Sequence, residues 1–97
     1  MDTQQTLAAL AALAQESRLA VFRLLVQAGP DGLAASKIAE RLAIAPSSLS
    51  FHLKELAHAG LVVPRQAGRF VIYSADVGAM KGLISFLTEN CCGGKPC

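Results

Sequence analysis

The chain has 97 residues, which sets the expectation at one domain with one modest core. It is 53% hydrophobic and only 16% charged, rich for so small a surface, and this implies that part of the surface is covered by a second copy of the chain. No apolar run approaches the length of a bilayer span, and the leading Asp2-Thr3-Gln4-Gln5 carries no positive charge, so neither a membrane segment nor a secretory signal is expected and the location expected is cytoplasmic.

Residues 3–14, TQQTLAALAALA, read as an Ala-Leu helix with Leu7, Leu10, Leu13 and Ala14 on one side and Asp2 or Thr3 as N-cap. So many alanines make a thin helix that a neighbour can approach closely. Glu16-Ser17-Arg18 restarts the pattern. A second helix runs to about Ala28, with Leu19, Phe22, Leu25 and Val26 inward, and Gly29-Pro30 ends it. Asp31-Gly32 is a turn, and Leu33 to Ser36 leads into the next helix with Ser36 as its N-cap.

Residues 36–63 carry two helical patterns joined by a tight connection. Ile38 and Leu42 form one stripe; Leu49, Leu53, Leu56 and Ala57 form the other, spaced as one face of a helix. Pro46 suits the first position of the second helix, where a missing N–H costs nothing, and Ser47 or Ser48 can accept from the free N–H groups there. Gly60 ends the helix as a left-handed cap, and Leu61-Val62-Val63 opens a strand. This is the helix-turn-helix pattern. With the leucines inward, Ser47, Ser48, Ser50, Phe51, His52 and Lys54 fall partly or wholly outward, a set of short hydrogen-bonding groups and a cation near a helix N-terminus that favours phosphate.

Residues 61–75 alternate as a β-hairpin, LVVPRQ and RFVIYSA around Ala67-Gly68, with Gly68 supplying the positive φ of a tight turn and Pro64 marking an edge strand. Arg65, Gln66 and Arg69 crowd its tip, where arginines can reach phosphate or a narrow minor groove. Between residues 36 and 69 five basic residues (Lys37, Arg41, Lys54, Arg65, Arg69) face Glu40 and Glu55, a local charge of +3; the other four basic and five acidic residues leave −1. The positive charge thus sits where a DNA-facing side needs it.

A last helix spans 77–90, VGAMKGLISFLTEN, with Met80, Leu83, Ile84 and Leu87 on one face and Asn90 as C-cap. All three cysteines follow in the final seven residues, Cys91-Cys92-Gly93-Gly94-Lys95-Pro96-Cys97. Gly93-Gly94 lets the backbone fold back, so three thiols can converge on one ion. Three thiolates without a fourth ligand suit a soft three-coordinate ion better than zinc, and As(III) or Sb(III) fits best. His52 and His58 are isolated and are not ligand candidates. There is no paired carboxylate set, phosphate-cradling glycine loop or nucleophile-base motif, so no enzyme and no organic cofactor are expected.

The run Ser47-Ser48-Leu49-Ser50-Phe51-His52-Leu53-Lys54-Glu55-Leu56, followed by Ala59-Gly60-Leu61-Val62, resembles the winged-helix repressors of the ArsR/SmtB metalloregulator family. The resemblance covers most of residues 7–90. It implies a mainly α winged helix-turn-helix of order α-α-α-α-β-β-α, a homodimer built through the first and last helices, a DNA-recognition helix carrying the Ser-x-His-Leu core, and a wing. It also implies a structural Arg18 at the start of the second helix. The family's Cys-x-Cys site is absent, its positions being Ala34 and Ser36, and Asp76 lacks the histidine partner of the zinc-sensing members. The tail instead resembles the arsenic repressors with an adjacent cysteine pair and a third cysteine near the C-terminus.

The reading is a domain at 1–90 with a metalloid-binding tail at 91–97: a repressor that binds operator DNA as a dimer and is released when As(III) or Sb(III) binds Cys91, Cys92 and Cys97. Two alternatives stand beside it. One keeps the repressor but senses methylated trivalent arsenic or thiol oxidation through Cys91-Cys92; the other is an arsenic carrier that never touches DNA.

Overall fold

A computed structural model describes residues 1–97. Its helices are α1 (Thr3–Leu13), α2 (Glu16–Ala28), α3 (Ala35–Leu42), α4 (Pro46–His58) and α5 (Val77–Thr88). Its strands are β1 (Leu33–Ala34), β2 (Val62–Ala67) and β3 (Phe70–Ala75), and a short 3-10 turn at Cys91–Gly94 ends the chain. The winged helix-turn-helix architecture is as expected. The strand β1 is an addition: two residues are too few to show a period in the sequence.

α1 starts in a capping box, Asp2 Oδ1 accepting from the Gln5 N–H at 2.7 Å and Gln5 Oε1 accepting from the Asp2 N–H at 2.9 Å. Its buried stripe is Thr6, Ala9 and Ala12, not the side that carries Leu7 and Leu10. Thr6 remains satisfied, its hydroxyl donating to the Asp2 carbonyl at 2.8 Å. The alanines win the core side because α1 lies against both α2 and α4, and only a methyl-sized surface allows that approach. Leu7 and Leu10 are left exposed.

Gln15 caps α2 by accepting from the Arg18 N–H at 2.8 Å. Arg18 Nε donates to the Ala12 carbonyl at 3.0 Å, so Arg18 ties the end of α1 to the start of α2, the structural role expected of it. Val21, Phe22 and Leu25 are the residues α2 buries; Leu19, expected inward, is exposed. They meet Ile38 of α3, Leu49, Leu53 and Leu56 of α4, and Leu61 and Val62 beyond it in one core.

β1 pairs antiparallel with β3, Leu33 opposite Tyr73 and Ala34 opposite Ile72. That pairing holds Ala34 extended, and the chain turns directly from strand into helix there. Ala34 is therefore the residue that precedes α3, no side chain caps it, and Ser36 lies inside the first turn and not at the N-cap. Ala43 in the left-handed region closes the connection to α4, with Pro46 at its first turn as expected. Neither Ser47 nor Ser48 caps α4; the position before it is Ala45, with no side chain able to reach. At the far end the Leu61 N–H reaches the Leu56 carbonyl at 3.0 Å and the Gly60 N–H reaches Ala57 at 3.0 Å, with Gly60 at φ 76°. The left-handed Gly60 cap read from the sequence is thus present, and its two bonds make it a Schellman motif.

The sheet order is β1-β3-β2, so Pro64 lies on an edge strand. Ala67 pairs with Phe70, and the loop is therefore Gly68-Arg69, one residue later than the expected Ala67-Gly68. Gly68, at φ 62°, takes its first position, as a type II′ turn requires. Asp76 caps α5, accepting from the Ala79 N–H at 3.0 Å. α5 ends at Thr88, and Asn90 sits beyond the cap residue Glu89 with φ 56°. Of the expected apolar face of α5 only Leu83 is buried; Ile84 and Leu87 point out at 55% and 60% exposure. The chain measures 50 × 23 × 21 Å with a radius of gyration of 14.7 Å, against about 12.5 Å for a compact chain of this length.

Candidate nucleic-acid interface

The inward leucines of α4 decide which of its residues face out. Ser47, Ser48, Ser50, Phe51 and Lys54 are all exposed. His52 is only half-buried: one turn-flank closer to the core, it encloses Nδ1 with no hydrogen-bond partner and leaves Nε2 as the nitrogen open to an outside group. Of the residues expected partly or wholly outward, it is the one that is only partly so. Pro46 and the uncapped first turn leave free backbone N–H groups at this helix end, so phosphate finds donors there even though no side chain caps it.

The cations of this side are available. The single ion pair in the molecule joins Lys37 Nζ to Glu40 Oε2 at 3.8 Å, both largely exposed, and such a pair contributes little. Arg41, Lys54 and Arg69 have no carboxylate within ion-pair distance.

The three polar residues assigned to the wing tip separate in the structure. Arg69 occupies the loop itself and is exposed. Gln66 turns onto its own hairpin, Nε2 donating to the Gly68 carbonyl at 2.7 Å, and so braces the turn. Arg65 reaches back to the loop before β1, donating to the Asp31 carbonyl at 3.3 Å. Sequence reasoning missed both Asp31 and Gly32 as the anchor of the wing. Gly32 has φ 69°, and a Cβ there would collide with the Tyr73 carbonyl oxygen on β3. The turn after α2 can therefore lie flat on the wing strand only as glycine. A Pro-Asp-Gly run announced a turn, but nothing local announced what the turn would touch.

The tail beyond α5 runs from Cys91 to Cys97. Cys92 and Cys97 are joined by a disulfide, and Cys91 alone is free, on the surface. No three His, Cys, Asp or Glu side chains converge where an ion could be held. Disulfide sulfurs are not thiolates, so the tail in this state does not fit a three-thiolate ion. Asp76, half-buried, is engaged as the α5 cap, and His58 lies exposed at the end of α4. No helix is long and apolar enough to cross a membrane.

Comparison with known proteins agrees with this geometry. A family described as a helix-turn-helix domain matches residues 13–65, from the end of α1 to the first half of the wing. An ArsR-like transcriptional regulator from Rhodococcus sp. RHA1 is 27% identical with a TM-score of 0.77, over 87% of this chain and 76% of that one. A possible transcriptional regulator for arsenical resistance is 29% identical with a TM-score of 0.71, over 81% of this chain and 79% of that one. The homodimeric winged helix-turn-helix DNA-binding domain of Mb0332 from Mycobacterium bovis, a possible ArsR-family regulator, is 25% identical with a TM-score of 0.71, covering 95% and 85%. No curated protein matches the sequence.

Proposed function

The chain belongs to the helix-turn-helix domain family, as a winged-helix transcription regulator of the ArsR type, and on that premise we propose that it is a dimeric repressor whose cysteine tail senses trivalent metalloid. The observation that carries the DNA-binding half is the outer face of α4, where serines stand at the free N–H groups of the first turn and Phe51 and an unpaired Lys54 follow along the helix. Two copies of α4, set about 34–36 Å apart, would enter successive major grooves of a pseudo-palindromic operator, with Arg69 of each wing on the flanking backbone.

Dimerisation follows from Leu7 and Leu10 of α1 and Ile84 and Leu87 of α5, exposed on two helices that pack on each other. A homodimeric neighbour of the same fold supports it.

The metalloid reading rests on the clustering of Cys91, Cys92 and Cys97 within seven residues and on the similarity to a regulator described for arsenical resistance. It requires the reduced tail, in which all three sulfurs are thiols. The Cys92–Cys97 disulfide favours a second reading, in which oxidation of this pair is itself the signal.

One titration separates the two. Fluorescence anisotropy of labelled operator is followed with the parent and with Cys97→Ser, under reductant with arsenite added, and without arsenite under a mild disulfide oxidant. Metalloid sensing predicts release of the parent by arsenite and loss of that response in Cys97→Ser. Oxidation sensing predicts release by the oxidant alone. Release of Cys97→Ser at the parent's arsenite concentration would remove the three-thiol site, and failure of either protein to bind DNA at low salt would leave the carrier.

A further inference from the structure

Phe51 is the sixth residue of α4, in the half of the helix that enters the groove, and 57% of it is exposed. The core stripe of Leu49, Leu53 and Leu56 turns it away from the protein interior. Its ring meets one other, that of His52, edge-on with centroids 6.0 Å apart. Around it the outward face of the helix is polar: Ser47 one turn before, Ser50 beside it, and Lys54 one turn after.

A phenyl ring neither donates nor accepts a hydrogen bond, so it cannot answer to the donor and acceptor pattern of base edges. The major groove offers it one apolar group, the C5-methyl of thymine. Covering that methyl removes apolar surface of both partners from water, and it does so at a position where the neighbouring serines and lysine hold the helix in register on phosphates and base edges.

We propose that Phe51 is a specificity-determining residue that selects thymine at one position of each half-site by contact with its methyl group. This deepens the DNA-binding reading above and rests on it. Phe51 has a fixed place along the helix between Ser47 and Lys54, so the preference falls on one position of the half-site and is not a diffuse preference for A·T pairs.

The test begins with selection of bound duplexes from a random double-stranded pool by the full chain. Each thymine of the recovered site is then replaced in turn by deoxyuridine, which keeps every hydrogen-bonding group and lacks the methyl. The parent is expected to lose about fourfold in affinity at one position per half-site, the size of one buried methylene-sized group. Phe51→Ser is expected to bind thymine and uracil equally at that position, and Phe51→Leu, which keeps an apolar end, to retain a preference. Thermal melting of both variants at the parent's temperature establishes that the exposed site tolerates the change. If no thymine-to-uracil exchange weakens the parent, or if Phe51→Ser keeps the parent's ratio, the inference is overturned while DNA binding stands. If no duplex is recovered at low salt, the DNA-binding reading falls and this inference with it.

Discussion

Gly32 and Arg18 show how single side chains hold this small fold in register. Arg18 donates its Nε–H to the Ala12 carbonyl near the end of α1, a charged donor to a helix end whose dipole favours cations. Gly32 does the opposite by lacking a side chain: its positive φ and the Tyr73 carbonyl above it leave no room for a Cβ. Gly32→Ala must strain that backbone or push β1 off β3. It is expected to destabilise the protein by roughly 1–3 kcal/mol. Urea denaturation checks this through a lowered midpoint with unchanged slope. A midpoint equal to the parent's would mean that the turn relaxes freely and does not anchor the wing.

At the scale of elements the wing is the informative one. Its two arginines are near neighbours in sequence yet belong to different tasks. Arg69 sits in the loop with a free guanidinium, whereas Arg65 lies over the sheet with a bond to Asp31. Arg69→Ala is therefore expected to weaken binding to all DNA sequences alike and to reduce the salt slope of binding by about one. Arg65→Ala is expected to leave that slope nearly unchanged and to loosen the hairpin, read as faster amide exchange in β2 and β3. Equal changes of slope in the two variants would show that Arg65 leaves Asp31 when DNA is bound and makes its own phosphate contact. Either outcome is legible in a titration at several salt concentrations.

For the whole molecule the unanswered surface is the pair α1 and α5. A monomer with Leu7, Leu10, Ile84 and Leu87 in water and an elongated outline is poorly served by its own core. Ile84→Glu combined with Leu87→Glu would place two carboxylates where a partner's apolar side chains should pack. Sedimentation is expected to show the parent at twice the mass of one chain and the double variant at one. The melting temperature of the parent should rise with protein concentration, and that of the variant should not. A double variant that still sediments as a dimer would move the interface elsewhere.

Much of this arrangement is local and so was legible in the residues alone. The leucine spacing of α4, Pro46 at its start and Gly60 at its end specify a helix by periodicity and backbone preference, and the left-handed Gly60 cap formed as read. The Pro64 edge and the turn glycine of the hairpin are of the same kind. What depends on distant partners was not legible. α1 and α5 each carry apolar residues on more than one side, and only packing against α2 and α4 decides that Ala9 and Ala12 go in while Leu7 and Leu10 stay out. β1 is two residues long and exists because β3 lies beside it. Arg65 could reach DNA or Asp31 with the same side chain, and the position of the Asp31 carbonyl 34 residues earlier in the chain chooses. The three cysteines of the tail are plain in the sequence, but which sulfurs pair depends on how the backbone folds back over Gly93 and Gly94, and this brings Cys97 to Cys92 while Cys91 stays free.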